Sequence, residues 1–287
     1  MAFEDVMSAV MRWSTGAEAL AAVGAELSLL QSGTGAPEVR AALEAVSEVA
    51  GLGDLAELDP QQRAMFIAFA RLYLRQSLDL LDNADAAPGW TYTDPTILDG
   101  WGRVSIMVPA AIAAAHADLT QVGSLLDVGT GVGYLAVSAA NVWPSASIVG
   151  IDVWEPSLER ARSHVAEAKL EARVTFRNQD ARAVEDVDAF DCVFVPTFFL
   201  SDAAITECLP ALHRATRPGG WTVLGRLAPP PDPLAEAVGR LRTIRAGGVE
   251  LEAERAIDLL RKAGYTDVHV APKDRPSPLD LILGRKD

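Results

Sequence analysis

Apolar positions recur along the chain with two different periods, and the period changes near residue 120. Over residues 3–83 they return every three or four positions, as on a helix with one buried face. The stretch "TGAE" offers Thr15 as an N-cap with Glu18 three residues on, and "SGTGAP" at 32–37 breaks the chain. Asp59 before Pro60 predicts the cap and first turn of a long helix. Its apolar face runs through Phe66, Phe69, Leu72, Tyr73 and Leu80. Such a face must be covered, so residues 1–89 are expected to form an all-helical N-terminal subdomain. A Trp- and Gly-containing connector and one further helix, 90–120, follow it.

Short β-branched runs then alternate with helical stretches. "SLLDVGT", "SIVGIDV", "RVTFRNQ", "FDCVFVP", "WTVLGRLA", "TDVHVAP" and "LDLILGRK" are strand candidates, and the first five are separated by helical or helix-plus-loop segments. That alternation predicts an α/β domain over 121–287 with helices on both faces of a parallel sheet. The last two runs are joined by "PKDRPSP", too short for a crossover helix, so they should pair antiparallel.

Composition narrows the functions. At 287 residues the chain can bury one large core or two ordinary ones. A net charge of -14 argues against nucleic acid, because phosphate backbones are held by clustered Lys and Arg. Cys192 and Cys208 both sit in apolar patterns, as reduced buried thiols would, and no metal-ligand spacing is present. "MAFEDVMSAV" carries acids where a signal peptide needs positive charge, and no run reads as a membrane span. A soluble cytoplasmic protein with no membrane partner is expected.

The chemistry concentrates in "LLDVGTGVGYLA", where a strand runs into alternate glycines and then a helix. Glycines let a ligand approach main chain that carries no Cβ, at the carboxyl edge where such sheets bind ligands. Asp152 in "GIDVWEP" ends the next strand, where a carboxylate can accept from two ribose hydroxyls. Asp180 and Ala181 in "NQDARA" follow the third strand and suit an adenine edge. The dinucleotide fingerprint places its third glycine one position later than Gly133, which disfavours a pyrophosphate.

Taken together these residues resemble the class I S-adenosylmethionine-dependent methyltransferases. "LLDVGTGVGYLA" looks like that family's first motif and "GIDVWEPSLERA" like its acidic ribose motif. "NQDARA" resembles the adenine motif, "FDCVFVPTFF" the fourth-strand motif, and "ATRPGGWTVL" the turn before the fifth strand. The resemblance covers 121–287 and implies a Rossmann-like sheet of seven strands, ordered 3-2-1-4-5-7-6 with the last reversed. It implies S-adenosylmethionine as cofactor, S-adenosylhomocysteine as product, and a cofactor site at Asp127, Gly129, Thr130, Gly131, Gly133, Tyr134, Asp152, Val153, Asp180, Ala181 and Pro196. More loosely, Trp90, Asp94, Gly102, Arg103 and Ser105 resemble a connector found before the first motif in one subgroup.

Methyl transfer from a sulfonium needs chiefly an acceptor held in line in a site closed to water. Trp90, Tyr92, Trp101, Phe198 and Phe199 are the candidate lining of the acceptor pocket, and Arg103 suits the cofactor carboxylate or an anionic substrate. His116, in an apolar helix, His164, His213 and His269 read as structural, so no general base is named. The expected activity is methylation of a small molecule, a specialised metabolite, on oxygen before carbon or nitrogen. "VPTFFL" lacks the "DPPY"-like signature that the family associates with amino acceptors on nucleobases or glutamine. A cofactor-binding scaffold and an NAD(P)-dependent oxidoreductase are the alternatives. The helical region is expected to cover the acceptor side as a lid or to mediate a homodimer.

Overall fold

The computed structural model describes residues 2–273 and 277–287. The tip of the "PKDRPSP" connection, 274–276, lies outside the described residues. By internal contacts the chain forms two units that interleave in sequence: one holds residues up to 86 together with 94–103, the other 87–93 together with 104–287.

The first unit is helical, as its periodicity predicts. Helix α1 (Phe3–Ser32) ends on Gly33, whose φ of 69° turns the chain left-handed at the expected break. The N-cap expected at Thr15 is not there. The hydroxyls of Ser14 and Thr15 both donate to the Met11 carbonyl at 3.0 Å, so they are satisfied inside one unbroken helix. Helix α2 (Pro37–Val49) follows, then α3 (Pro60–Asp82), which is capped as predicted. Asp59 accepts from the Gln61 and Gln62 amides, and the Gln62 side chain accepts in return from the Asp59 amide.

The buried face of α3 matches the expected one in part: Leu72 is buried and Phe69, Tyr73 and Leu80 are half-buried. Ile67, Ala70 and Leu72 are buried, while Phe66 is exposed. Small residues decide this. A Cβ on Gly24 of α1 would stand 3.0 Å from Ala70, and one on Gly100 of α4 (Pro95–Val104) would stand 2.8 Å from Leu72. The helices approach where side chains are short rather than where the aromatics are. Leu27, Leu55 and Ile67 form the small core of this unit, and Glu26 beside it is buried with the Ser47 hydroxyl as its donor.

The second unit carries a seven-stranded sheet ordered β3-β2-β1-β4-β5-β7-β6. Its strands are β1 (Ser124–Val128), β2 (Ser147–Asp152), β3 (Val174–Asn178), β4 (Phe190–Pro196), β5 (Thr216–Leu227), β6 (Thr266–Val270) and β7 (Leu279–Arg285). All neighbours pair parallel except β7, which is antiparallel to both β5 and β6. This is the expected architecture. Alternation explains it: Leu125 of β1 joins the core under α5 (Val108–Ala115) and α6 (Tyr134–Val142), and Leu126 joins the core under α8 (Asp202–Ala215) and α10 (Ala253–Lys262). Helix α7 (Glu155–Glu167) links β2 to β3, and α9 (Pro233–Arg245) follows β5.

Two further expectations are amended. His116 does not lie inside a helix; α5 stops before it, and its Nδ1 accepts from the Asp118 amide at the head of a 3-10 turn. Residues 95–115 do meet a span's length and apolarity, contrary to the sequence expectation. A 3-10 turn at Ser105–Met107 divides them into α4 and α5, and Ile97, Leu98 and Ile112 are buried as core residues are.

Candidate functional site

The glycine loop sits at the carboxyl end of β1, between β2 and β4. Gly129, Gly131 and Gly133 all have left-handed backbone, at φ of 64°, 56° and 80°, which a side chain would strain. Gly133 has a packing reason as well, since a Cβ there would stand 3.0 Å from Ala161 and Phe176. At Gly131 nothing lies nearer than the Gly129 carbonyl at 4.0 Å, so its bare backbone faces open space. The Thr130 amide donates to the Ile151 carbonyl at 3.0 Å, which ties the loop to β2.

Two carboxylates hold this loop from below. Asp127 is fully buried and accepts from the Thr130 hydroxyl at 2.6 Å. Burial pushes its pKa up to about 7, against the Thr130 hydrogen bond and with the help of the nearby Asp152 charge. Asp152 accepts from the Gly131 amide at 2.9 Å through Oδ2 and from the Trp154 amide at 2.8 Å through Oδ1. Burial raises its pKa too, and those two amides together with that of Val153 oppose the rise. A carboxylate has about four lone-pair sites, so acceptor capacity remains for ribose hydroxyls. The residues present therefore fit an adenosyl cofactor: bare backbone for close approach, and an acid with acceptor capacity to spare.

Other predicted residues gather around the same edge. Asp180 opens a short turn after β3, and its carboxylate pairs with Arg182 at 2.6 Å, which holds its pKa below the usual range. Arg182 also reaches Glu207 of α8 at 3.0 Å. Ala181 follows Asp180 in that turn; Val153, beyond Asp152, is exposed. Tyr134 begins α6 and stacks against His164 at 4.5 Å. Pro196 ends β4, with its Cγ 3.6 Å from where a Gly129 Cβ would stand.

The predicted acceptor-pocket residues divide between the units. Trp90, Tyr92, Phe198 and Phe199 form one aromatic group in the second: Trp90 packs edge-on against Tyr92 at 5.3 Å and against Phe199 at 5.0 Å, and Phe198 against Phe199 at 4.6 Å. Trp101, Arg103, Asp94 and Gly102 fall in the first unit, where Asp94 pairs with Arg75 at 2.6 Å.

Three positions escaped sequence reasoning. Trp154 donates its indole N–H to the Tyr92 carbonyl at 3.1 Å, so it joins the acid of β2 to the aromatic group. Gly247 and Gly248 press on the same group: a Cβ on Gly247 would meet Gly89 at 3.1 Å, and one on Gly248 would overlap the Phe198 carbonyl at 2.0 Å. An aromatic directly before a helix, and a Gly-Gly pair after one, were the available signals. The histidines serve packing. His164 is bonded to the Val132 carbonyl, His213 lies edge-on to Tyr265, and His116 and His269 flank Trp221. Burial raises the pKa of both thiols, that of Cys208 to about 12, which leaves them unreactive.

Comparison with known proteins matches residues 125–220 to a methyltransferase domain family. That stretch takes in the glycine loop, Asp152 and Asp180. Two demethylmenaquinone methyltransferases are similar to it. The one from Thermus thermophilus is 37% identical over 108 residues, 37% of this chain and 48% of the relative. The one from Deinococcus radiodurans is 35% identical over 143 residues, 50% and 55% of the two chains. The chain thus spans about half the length of the curated relatives it matches. Solved structures align over nearly all of it. An O-methyltransferase family protein from Burkholderia thailandensis has a TM-score of 0.71 at 16% identity, over 100% of this chain and 98% of that one. The mitomycin 7-O-methyltransferase MmcR has a TM-score of 0.66 at 18% identity, over 99% and 98%. At such identity the likeness is one of fold, and it takes in the helical region as well as the sheet.

Proposed function

We propose that the chain is an S-adenosylmethionine-dependent methyltransferase acting on a small-molecule acceptor, on oxygen in preference to carbon or nitrogen. The observation that carries this reading is Asp152, whose carboxylate is aimed by the Gly131 and Trp154 amides yet retains acceptor capacity beside a bare glycine loop. The preference for oxygen is supported by the O-methyltransferases among the structural neighbours, which match over the whole chain, whereas the curated relatives match over about half.

The cofactor supplies a methyl on a sulfonium, which already has a good leaving group. Asp152 accepts from the ribose hydroxyls, and the glycine loop offers its bare backbone. Asp180 and the Ala181 backbone meet the adenine edge, and Pro196 closes the side toward β4. Trp90, Tyr92, Phe198 and Phe199 line the acceptor side and exclude water. Excluding water strengthens every charge interaction in the site. No side chain of this chain is assigned a proton.

Titration calorimetry tests the reading. S-adenosylhomocysteine should bind with a micromolar Kd, on the order of -8 kcal/mol, and NAD far more weakly. Asp152→Ala removes two hydrogen bonds to a charged acceptor, each worth roughly 1.5–3 kcal/mol, and should cut that affinity at least tenfold in a folded protein. Tight NAD binding with none for S-adenosylhomocysteine would overturn the reading. The same proposal includes a homodimer formed through the helical unit. Phe3, Val6, Met7, Val10 and Met11 of α1 are exposed at helical spacing, and a second copy is the occupant that covers them.

A further inference from the structure

Trp154 makes two hydrogen bonds to two different parts of the site. Its backbone amide donates to Asp152 Oδ1 at 2.8 Å, a turn in which an Asp side chain accepts from the amide two residues on. Its indole Nε1 donates to the Tyr92 carbonyl at 3.1 Å. Residues 87–93 are held as well by the Gly89 amide on the Arg245 carbonyl at 3.0 Å. The bond from Trp154 leads back to the cradle, through its amide on Asp152. Trp90 stands between these two bonds, packed on Tyr92 and Phe199.

We propose that Trp154 is a positioning residue that couples occupancy of the cofactor cradle to the placement of residues 87–93 and the aromatic wall they carry. The inference rests on the reading of Asp152 as the ribose acid. Trp154 is also the N-cap residue of α7, so its backbone is fixed by that helix. The indole is rigid beyond two torsions. Ligand hydroxyls that fix Asp152 therefore fix the Trp154 amide, the indole and the Tyr92 carbonyl in turn. By reciprocity, a group seated against Trp90 and Tyr92 tightens the cradle by the same factor. The wall is then fully formed only over a bound cofactor, which favours cofactor entering before acceptor.

Hydrogen exchange on the full chain, wild type and Trp154→Phe, tests this with S-adenosylhomocysteine as the probe. Phe keeps the ring and the amide on Asp152 but loses the indole donor. In the wild type the ligand should slow exchange of the 87–93 amides about fivefold or more, the scale of one hydrogen bond. In Trp154→Phe the ligand should bind within about threefold of wild type, with the protection of 87–93 gone and that of β1 unchanged. Equal protection of 87–93 in both proteins overturns the coupling, as does loss of β1 protection in the variant, which would make Trp154 a packing residue. Failure of the wild type to bind the ligand is seen before any variant is made, and it overturns the reading of the cradle together with the coupling.

Discussion

Asp127 sits on a strand buried along its whole length and keeps the Thr130 hydroxyl as its hydrogen-bond donor. Its pKa of about 7 stands above the ordinary carboxylate value because burial penalises the charge. A raised folded-state pKa means that the folded protein binds the extra proton, so stability is highest in acid and falls as pH rises from about 4 to about 7. Asp127→Asn keeps an oxygen for Thr130 and cannot ionise. Denaturant unfolding at about pH 5 and pH 8 should show the wild type losing on the order of 2 kcal/mol more than the variant between the two conditions, at 1.36 kcal/mol per pKa unit. Equal losses would place the charge of Asp127 elsewhere. The position of this acid was legible in the sequence, because it precedes the glycines at a strand end. Its protonation was not, because desolvation depends on the helices that cover both faces of β1.

Elements were legible where their signals were local. Asp59, Pro60 and Gln62 form a cap from four consecutive positions, and the seven β-branched runs became the seven strands. Thr15 misled because "TGAE" has the composition of a cap, while inside the helix the carbonyl of Met11 one turn back accepts from its hydroxyl. The face of α3 was legible in part: Leu72 is buried as expected, but Phe66 is exposed, because Gly24 and Gly100 on other helices decide which part of the stripe is approached. The two capping sites now predict opposite results. Asp59→Ala should cost about 1 kcal/mol in unfolding free energy, the worth of an N-cap. Thr15→Ala should be neutral or stabilising by up to about 0.7 kcal/mol, since alanine is the better residue inside a helix. A loss at Thr15 as large as that at Asp59 would mean that α1 is broken there in solution.

At the scale of the molecule, the sheet order and the reversed β7 followed from strand alternation together with the family resemblance. The interleaving of the units did not, since 87–93 and 94–103 are neighbours in sequence and carry no signal of belonging to different units. Hydropathy likewise cannot tell an apolar face covered by its own chain from one covered by another copy. Over α1 that distinction has a consequence: Gly24 and Leu27 in its second half are buried, whereas Phe3, Met7 and Met11 in its first half are exposed. An apolar stripe left in water by one chain is what a self-complementary interface presents. Sedimentation of the full chain at about 10 μM should accordingly show a dimer, an interface of standard size being stable at such concentrations. Met7→Lys combined with Met11→Lys would bury unpaired charges in that interface, at roughly 3–5 kcal/mol for a fully buried one, and should shift the protein to monomer. The affinity for S-adenosylhomocysteine should stay within error of wild type, because neither methionine belongs to the cradle. A wild type that sediments as a monomer, or a double variant that remains dimeric, would remove α1 from the interface.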